Sequence, residues 1–248
     1  GISEETTLSD IQCVGADVVI VDEVSMCDQK LFALLAAAID TEKTKLLLVG
    51  DCDQLPSVGA GNVLHELINC EKVPITKLNL VYRQGKDSII PKNSDKINKG
   101  IAKLEFPNDF RFLTAEEPND CFNTVIDAYI SEVERLGVEN VCVLCPMKSR
   151  GLNCVNEYNK KIQEVVNPID KNKLEIHFKN RVFRLGDKVM QTKNSDGISN
   201  GETGFITAIN KDEDDNETCL IQFESKENPS LYCMEDMQNI VLAYATTI

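Results

Sequence analysis

No stretch of this 248-residue chain stays apolar for the roughly 20 residues that a membrane span needs. Its first residues, Gly1-Ile2-Ser3-Glu4-Glu5, lack the basic segment that opens a secretory signal. The expected location is therefore the cytoplasm, with no membrane partner. No internal repeat or low-complexity tract is found. Positive charge is in short supply, with 26 Lys and Arg against 40 Asp and Glu and a net charge of −14. That balance argues against an unstructured polyanion binder. Also missing is a glycine followed five residues later by Gly-Lys-Ser or Gly-Lys-Thr, the loop that cradles nucleotide phosphates. The only Gly-Lys pair, Gly85-Lys86, is followed by Asp87.

Cysteine is not scarce. The ten cysteines are scattered, mostly within apolar runs, and the one Cys-x-x-Cys pair, Cys142 and Cys145, falls in a strand-like run. Residues three apart on a strand point to opposite faces, which disfavours a shared metal. Reduced core cysteines in a reducing compartment are the expected state.

Two apolar runs end abruptly in polar loops. Val18–Val21 runs into Asp22, Glu23, Val24, Ser25 and Met26, and Lys45–Val49 runs into Gly50, Asp51, Cys52, Asp53, Gln54, Leu55, Pro56 and Ser57. Both read as buried strands of a parallel sheet, whose carboxyl ends are where ligands bind in an open α/β fold. Asp28 is placed to cap a helix from about 29 to 40, with Leu31, Leu34, Leu35 and Ala38 on one face. A short helix over 62–69 and a strand over 75–80 complete a β-α-β-α-β order, which implies right-handed crossovers.

A second, smaller α/β unit follows. Pro91 favours two short helices over one long one between 86 and 103, and 106–113 suggests a short strand. A helix capped near Asn119 or Asp120 should stop at Gly137, with a strand over 140–145 and a helix over 151–166. Beyond Arg181 the texture changes to short β-branched runs over 187–192, 204–209, 218–223 and 231–234, separated by turn residues. This spacing reads as a small barrel. The run 240–245 returns to the pattern of the earlier buried strands. The fold class is therefore α/β with an inserted small β-barrel. The expected divisions are 1–81, 82–180, 181–239 for the insertion and 240–248 for the return strand. Charge follows this division. Residues 1–81 hold 5 basic and 13 acidic side chains, whereas 148–193 hold 11 basic and 5 acidic, compatible with a nucleic-acid channel or with solvated helix faces.

The chemistry these residues can carry is phosphate chemistry. Asp22 and Glu23 adjoin at a strand end, so one carboxylate can hold Mg²⁺ while the other orients or deprotonates a water. An acidic pair that merely ends a strand is the plain alternative. Gln54 can reach a terminal phosphate or the attacking water, Gly50 and Gly59 permit sharp turns, and Ser57 offers a hydroxyl. Arg83, in the pair Arg83-Gln84 at the junction of the two α/β units, can fork onto phosphate oxygens. Lys148 and Arg150, just past a strand end, are candidate DNA contacts.

Val18–Met26 resembles the Walker B segment of superfamily 1 helicases, and Leu47–Leu64 resembles their motif III in its RecD-like form. Leu80–Gln84 is similar to the motif IV arginine segment. Val143–Lys148, Asn200–Ile206 and Ala243–Ile248 fit the RecD-like subgroup, that of the exodeoxyribonuclease V alpha subunit. The resemblance implies parts of two RecA-like P-loop NTPase domains that clamp ATP, with an SH3-like barrel inserted in the second, and 5′→3′ movement on single-stranded DNA. It also implies that Asp22 ligates Mg²⁺, Glu23 activates water, Gly50, Asp51 and Gln54 line the nucleotide, and Arg83 reaches it from the second domain. ATP and Mg²⁺ are the implied cofactors, and single-stranded DNA and other subunits of a DNA-repair complex the implied partners. The missing Gly-Lys-Ser/Thr loop and motif VI lead us to expect an internal, inactive piece of a larger helicase. The competing expectations are a non-catalytic adaptor on a degenerate motor and the helicase region of a conjugative relaxase.

Overall fold

The computed structural model describes residues 7, 11–79, 85, 87–107, 109–170, 173–211 and 216–247. They form two compact units, Gly1–Arg111 and Phe112–Ile248, each described by itself below.

In the first unit β1 (Val18–Val21) is built from β-branched residues that suit extended backbone. α1 (Gln29–Ala38) then carries the chain to β2 (Lys45–Leu48), which lies parallel to β1 with Val18 opposite Lys45 and Val21 opposite Leu48. Asp28 caps α1 as expected: the Leu31 N–H donates to its Oδ1 at 2.7 Å. α2 (Val63–Asn69) follows the long loop after β2. Val24, Cys27 and Leu64 form a small core with Val21, Phe32, Leu48 and Ile68 packed against it.

The expectation of a sheet buried on both faces is not met. Val18, Ile20, Leu47 and Val49 are 50, 64, 51 and 44% exposed. The expected strand over 75–80 is also missing. Residues 74–79 join no ladder, and Leu80 lies outside the described residues. One helix, α3 (Ile90–Asn98), replaces the expected pair, because Pro91 falls in its first turn, where no N–H is needed. Asn93, fully buried, ties α3 to the following strap: its Nδ2 donates to the Glu105 carbonyl and its Oδ1 accepts the Glu105 N–H. Asn93 thus occupies the ladder-forming groups of Glu105, and the expected strand over 106–113 is absent from the described residues.

The second unit opens with α4 (Pro118–Leu136), ended by Gly137 at φ 87°, a left-handed value that glycine adopts at little cost. β3 (Val143–Cys145) and α5 (Val155–Val166) follow, and then a hairpin of β4 (Glu175–Phe178) and β5 (Arg181–Arg184). β6 (Lys188–Gln191), β7 (Thr203–Lys211), β8 (Glu217–Phe223), β9 (Ser230–Cys233) and β10 (Ile240–Leu242) form one antiparallel sheet in the order β10-β6-β7-β8-β9. Among the described residues no ladder joins β9 to β10, so closure into the expected barrel is not shown. A register shift between Ile206 and Ala208 bends β7.

The run 240–245, expected to be one strand, is divided. β10 pairs with β6, whereas β11 (Ala245–Thr247) leaves the sheet and lies parallel to β3, with Ala245 opposite Val143. Two cores result. Ile176, Phe183, Val189, Ile206, Ile221, Phe223, Met237 and Ile240 fill the antiparallel sheet, and Ile126, Tyr129, Cys145, Tyr158, Ile162 and Tyr244 fill the α/β part. Each such side chain contributes about 1.5–3 kcal/mol when fully buried. All ten cysteines are free, and Cys27, Cys145, Cys154 and Cys219 are buried as expected; Cys13, Cys52, Cys70, Cys142 and Cys233 are exposed instead.

Candidate nucleotide site

The carboxyl ends of β1 and β2 bring two loops together. The Val49 N–H donates to the Val21 carbonyl at 2.8 Å, and the Val24 N–H donates to the Val49 carbonyl at 3.0 Å, so the ladder continues past both strand ends. Gly50 then passes so close that a Cβ there would stand 3.1 Å from the Val24 nitrogen and 3.3 Å from the Ser25 nitrogen. A Cβ at Gly50 would need Leu64 and the backbone after Glu23 to give by a few tenths of an ångström.

The acids belong to the loop after β1. Asp22 and Glu23 are exposed. Asp22 Oδ1 accepts the Glu23 N–H at 2.9 Å, and Glu23 takes a left-handed backbone, φ 53° and ψ 42°. For a non-glycine residue this costs on the order of 1 kcal/mol, and such strain gathers at functional sites. The turn lets Val24 enter the core while both carboxylates stay at the surface. Ser25 is only 6% exposed, and its Oγ has no hydrogen-bond partner among the described residues. Sequence reasoning did not single it out, since a serine after an acidic pair carries no signal of burial.

Across the gap, the Asp51 carboxylate organises its own loop. It accepts the Asp53 N–H at 3.0 Å and Gln54 Nε2 at 3.4 Å, which holds the Gln54 amide at the loop surface. Asp51, Cys52 and Asp53 offer ligand atoms within 4.8 Å of one another, all exposed. Exposed acids gather in this way without a metal, and no role is assigned to the trio. Ser57 Oγ turns back to the Gly59 and Gly61 carbonyls at 3.2 Å each. Gly59 presses on the α1 cap: a Cβ there would meet Asp28 Oδ2 at 2.0 Å. The Gln29 N–H donates to the Ala60 carbonyl at 2.9 Å, so the loop after β2 is fastened to the start of α1.

Of the expected site residues, Asp22, Glu23, Gly50, Asp51 and Gln54 share this rim of the first unit, with Ser57 further along the same loop. Arg83 lies outside the described residues. Lys148 and Arg150 are exposed in the loop after β3 of the second unit.

The oxygen donors on this rim are of the kind a hard cation takes. Asp22 keeps one carboxylate oxygen beyond the one that accepts the Glu23 N–H, and oxygen ligands are what Mg²⁺ takes.

Residues 3–117 match the family described as AAA domain, and residues 158–223 match the ATP-dependent RecD-like DNA helicase SH3 domain. The chain is RecD-like. It is 36% identical over 196 residues to the ATP-dependent RecD2 DNA helicase of Deinococcus radiodurans, covering 77% of this chain and 25% of that protein. It is 25% identical to the RecBCD enzyme subunit RecD of Buchnera aphidicola, over 85% of this chain and 43% of that subunit. The RecD-like chain thus spans a quarter to under a half of the length of these relatives. The crystal structure of Pif1 helicase from Candida albicans superposes with a TM-score of 0.54 at 16% identity, covering 97% of this chain and 64% of that one, a likeness of fold. The RecD-like SH3 match begins within α5 and ends with β8. Among the described residues, no helix is long and apolar enough to cross a membrane.

Proposed function

We propose that this sequence is the nucleotide-sensing portion of an ATP-dependent 5′→3′ DNA helicase or translocase, which couples ATP hydrolysis to movement on single-stranded DNA. The observation that carries the reading is the close approach of Gly50 to the backbone after Asp22 and Glu23, which makes one rim of two loops. In this reading the motor domains divide as 1–81 and 82–180, with the SH3-like insertion over 181–239 extended by β10, and β11 as the return strand.

Asp22 would hold Mg²⁺, which supplies charge neutralisation on the transferred phosphoryl group when bound. Glu23, exposed beside it, accepts the proton of the attacking water at a carboxylate oxygen. Gln54, oriented by Asp51, reads the terminal phosphate through its amide, and Arg83 adds charge from the neighbouring motor domain. Lys148 and Arg150 would contact the DNA backbone, as would Ser57 if its loop opens. The names of the relatives support this reading, ATP-dependent DNA helicase in one case and a subunit of RecBCD in the other, and they make other subunits of a repair complex candidate partners.

The test has two arms. The 248-residue chain, which holds no Gly-Lys-Ser/Thr loop, should hydrolyse ATP no faster than buffer. In a protein that joins this sequence to such a loop, Glu23→Gln should lower DNA-stimulated ATP turnover by about 10²–10⁴-fold, the usual worth of a general base. Nucleotide affinity should stay within about threefold. Turnover by the chain alone that is lost in Glu23→Gln would overturn the first expectation. Undiminished turnover in the joined variant would overturn the role of Glu23, and a joined parent protein that hydrolyses no ATP would favour the non-catalytic adaptor.

A further inference from the structure

The loop between β5 and β6 carries the most heavily bonded side chain among the described residues. Asp187, fully buried, accepts four hydrogen bonds: from Gln163 Nε2 at 2.5 Å, Asn167 Nδ2 at 2.6 Å, the Arg184 N–H at 2.7 Å and the Tyr244 hydroxyl at 2.8 Å. Gln163 and Asn167 stand one turn apart at the end of α5, and Tyr244 directly precedes β11. The next residue, Lys188, is 4% exposed and reaches the other way. Its Nζ donates to the Val138, Glu139 and Val141 carbonyls at 3.0, 3.0 and 3.1 Å, in the turn between α4 and β3. Its backbone is held too, because its carbonyl accepts the Ala243 N–H at 2.9 Å.

Successive residues of an extended chain point to opposite sides. Here that rule sends an anion into α5 and β11 and a cation into the α4–β3 turn from one point of the SH3-like sheet. Apolar packing alone tolerates sliding, whereas a fully satisfied buried polar network accepts one arrangement. All four groups facing Asp187 are donors and all three facing Lys188 are acceptors, so neither side chain has an alternative pairing within its site.

We propose that Asp187 and Lys188 form a two-sided joint that makes the SH3-like sheet and the α/β part of the second unit one cooperative body, with the Tyr244 hydroxyl carrying displacement from the sheet to β11 and β3. The consequence lies at the strand ends. β3 runs directly into the loop of Lys148 and Arg150, so loosening the sheet loosens the base of that loop. This inference does not depend on the helicase reading.

Native-state hydrogen exchange on the 248-residue chain tests it. Ile209→Val trims a methylene from β7, three residues beyond the Ile206 that borders the joint. It should speed exchange at Cys219 and Leu220 by about two- to tenfold. If the joint couples the parts, the Val143 N–H, which bonds the Tyr244 carbonyl, and the Ala245 N–H, which bonds Asn159 Oδ1, should quicken by the same factor. With Asp187→Leu and Lys188→Met added, Ile209→Val should quicken the sheet amides alone. Should that variant fail to fold, Tyr244→Phe, which deletes one hydroxyl, should reduce the shared factor at Ala245 at least twofold. Sheet amides that quicken while Val143 and Ala245 do not, with the joint intact, would overturn the proposal. So would coupling that survives both joint variants unchanged, since ordinary packing would then account for it.

Discussion

The two units spend similar apolar sequence on different ends. In the first, β1 and β2 are as rich in Val, Ile and Leu as any strand of the second, yet Val18, Ile20 and Leu47 are half exposed or more. In the second, Cys219, Ile221 and Phe223 on β8 are fully buried, because Ile176 and Phe183 of the β4–β5 hairpin and Met237 share their core. A parallel sheet needs layers on both faces, and among the described residues nothing comparable covers Val18 and Ile20. The residues assigned to phosphate chemistry sit in the thinly covered unit, on loops held by a few backbone hydrogen bonds and one small core. Such segments open at low cost, which suits parts that answer to a ligand.

Removing one ring from the well-covered unit should therefore have the largest effect on stability. Phe223→Ala should destabilise the second unit by about 3–5 kcal/mol, read as loss of exchange protection at Cys219 and Ile221. A loss below about 1 kcal/mol would mean that the sheet core is looser than its burial implies. In the first unit the largest single contribution expected outside the core is the helix cap. Asp28→Ala should cost about 1 kcal/mol, seen as faster exchange of the Leu31 amide. It should also make Gly59→Ala milder than in the parent background, since the carboxylate that Cβ would strike is gone. Ile20→Ala should shift stability by no more than about 0.5 kcal/mol, as at an ordinary surface position. A loss near that of a core isoleucine would show that something covers this face in solution.

Much of this difference was hidden from sequence reading for identifiable reasons. Local signals were legible. Asp28 and Gly137 marked helix ends, and the apolar runs before Asp22 and Gly50 marked the two strands and the rim they share. Coverage was not, because an apolar run reads the same whether or not a layer lies over it. Ile75 and Leu78 looked like a strand, but a strand needs a partner, and at 45 and 91% exposure they have none among the described residues. The barrel was legible as strands and its closure was not, since closure depends on whether β9 meets β10. Asp187 and Lys188 were the least legible. A charged pair reads as solvated surface, and the groups that bury it, Gln163, Asn167, Tyr244 and the Val138 carbonyl, lie tens of residues away. At the site, the left-handed turn at Glu23 and the orphaned Ser25 hydroxyl are tertiary facts with no sequence signature, and Arg83 lies outside the described residues.

Two carboxylates sharpen the contrast with the smallest effect. Burial pushes the Asp187 carboxyl up from its ordinary range, and its four donors pull against that shift. Glu105, exposed in the first unit, moves the other way. Hydrogen bonds from Lys92, at 2.7 Å, and from Lys96, at 2.9 Å, hold its pKa at about 2. Its folded pKa is thus below the unfolded value of about 4.3, so the unfolded chain binds more protons between those limits. The stabilisation is complete above the unfolded value and is lost as the pH falls towards 2. Because the pair is open to solvent, salt should weaken it. NMR titration of the Glu105 side chain should give a midpoint near 2 at low ionic strength, rising with added salt, and Lys92→Met with Lys96→Met should return it to about 4.3. A midpoint that stays depressed in that double variant would show that Lys92 and Lys96 are not the cause of the shift. The exposed ion pairs would then explain nothing about the open unit's carboxylate, and its contrast with Asp187 would rest on the burial that raises the latter.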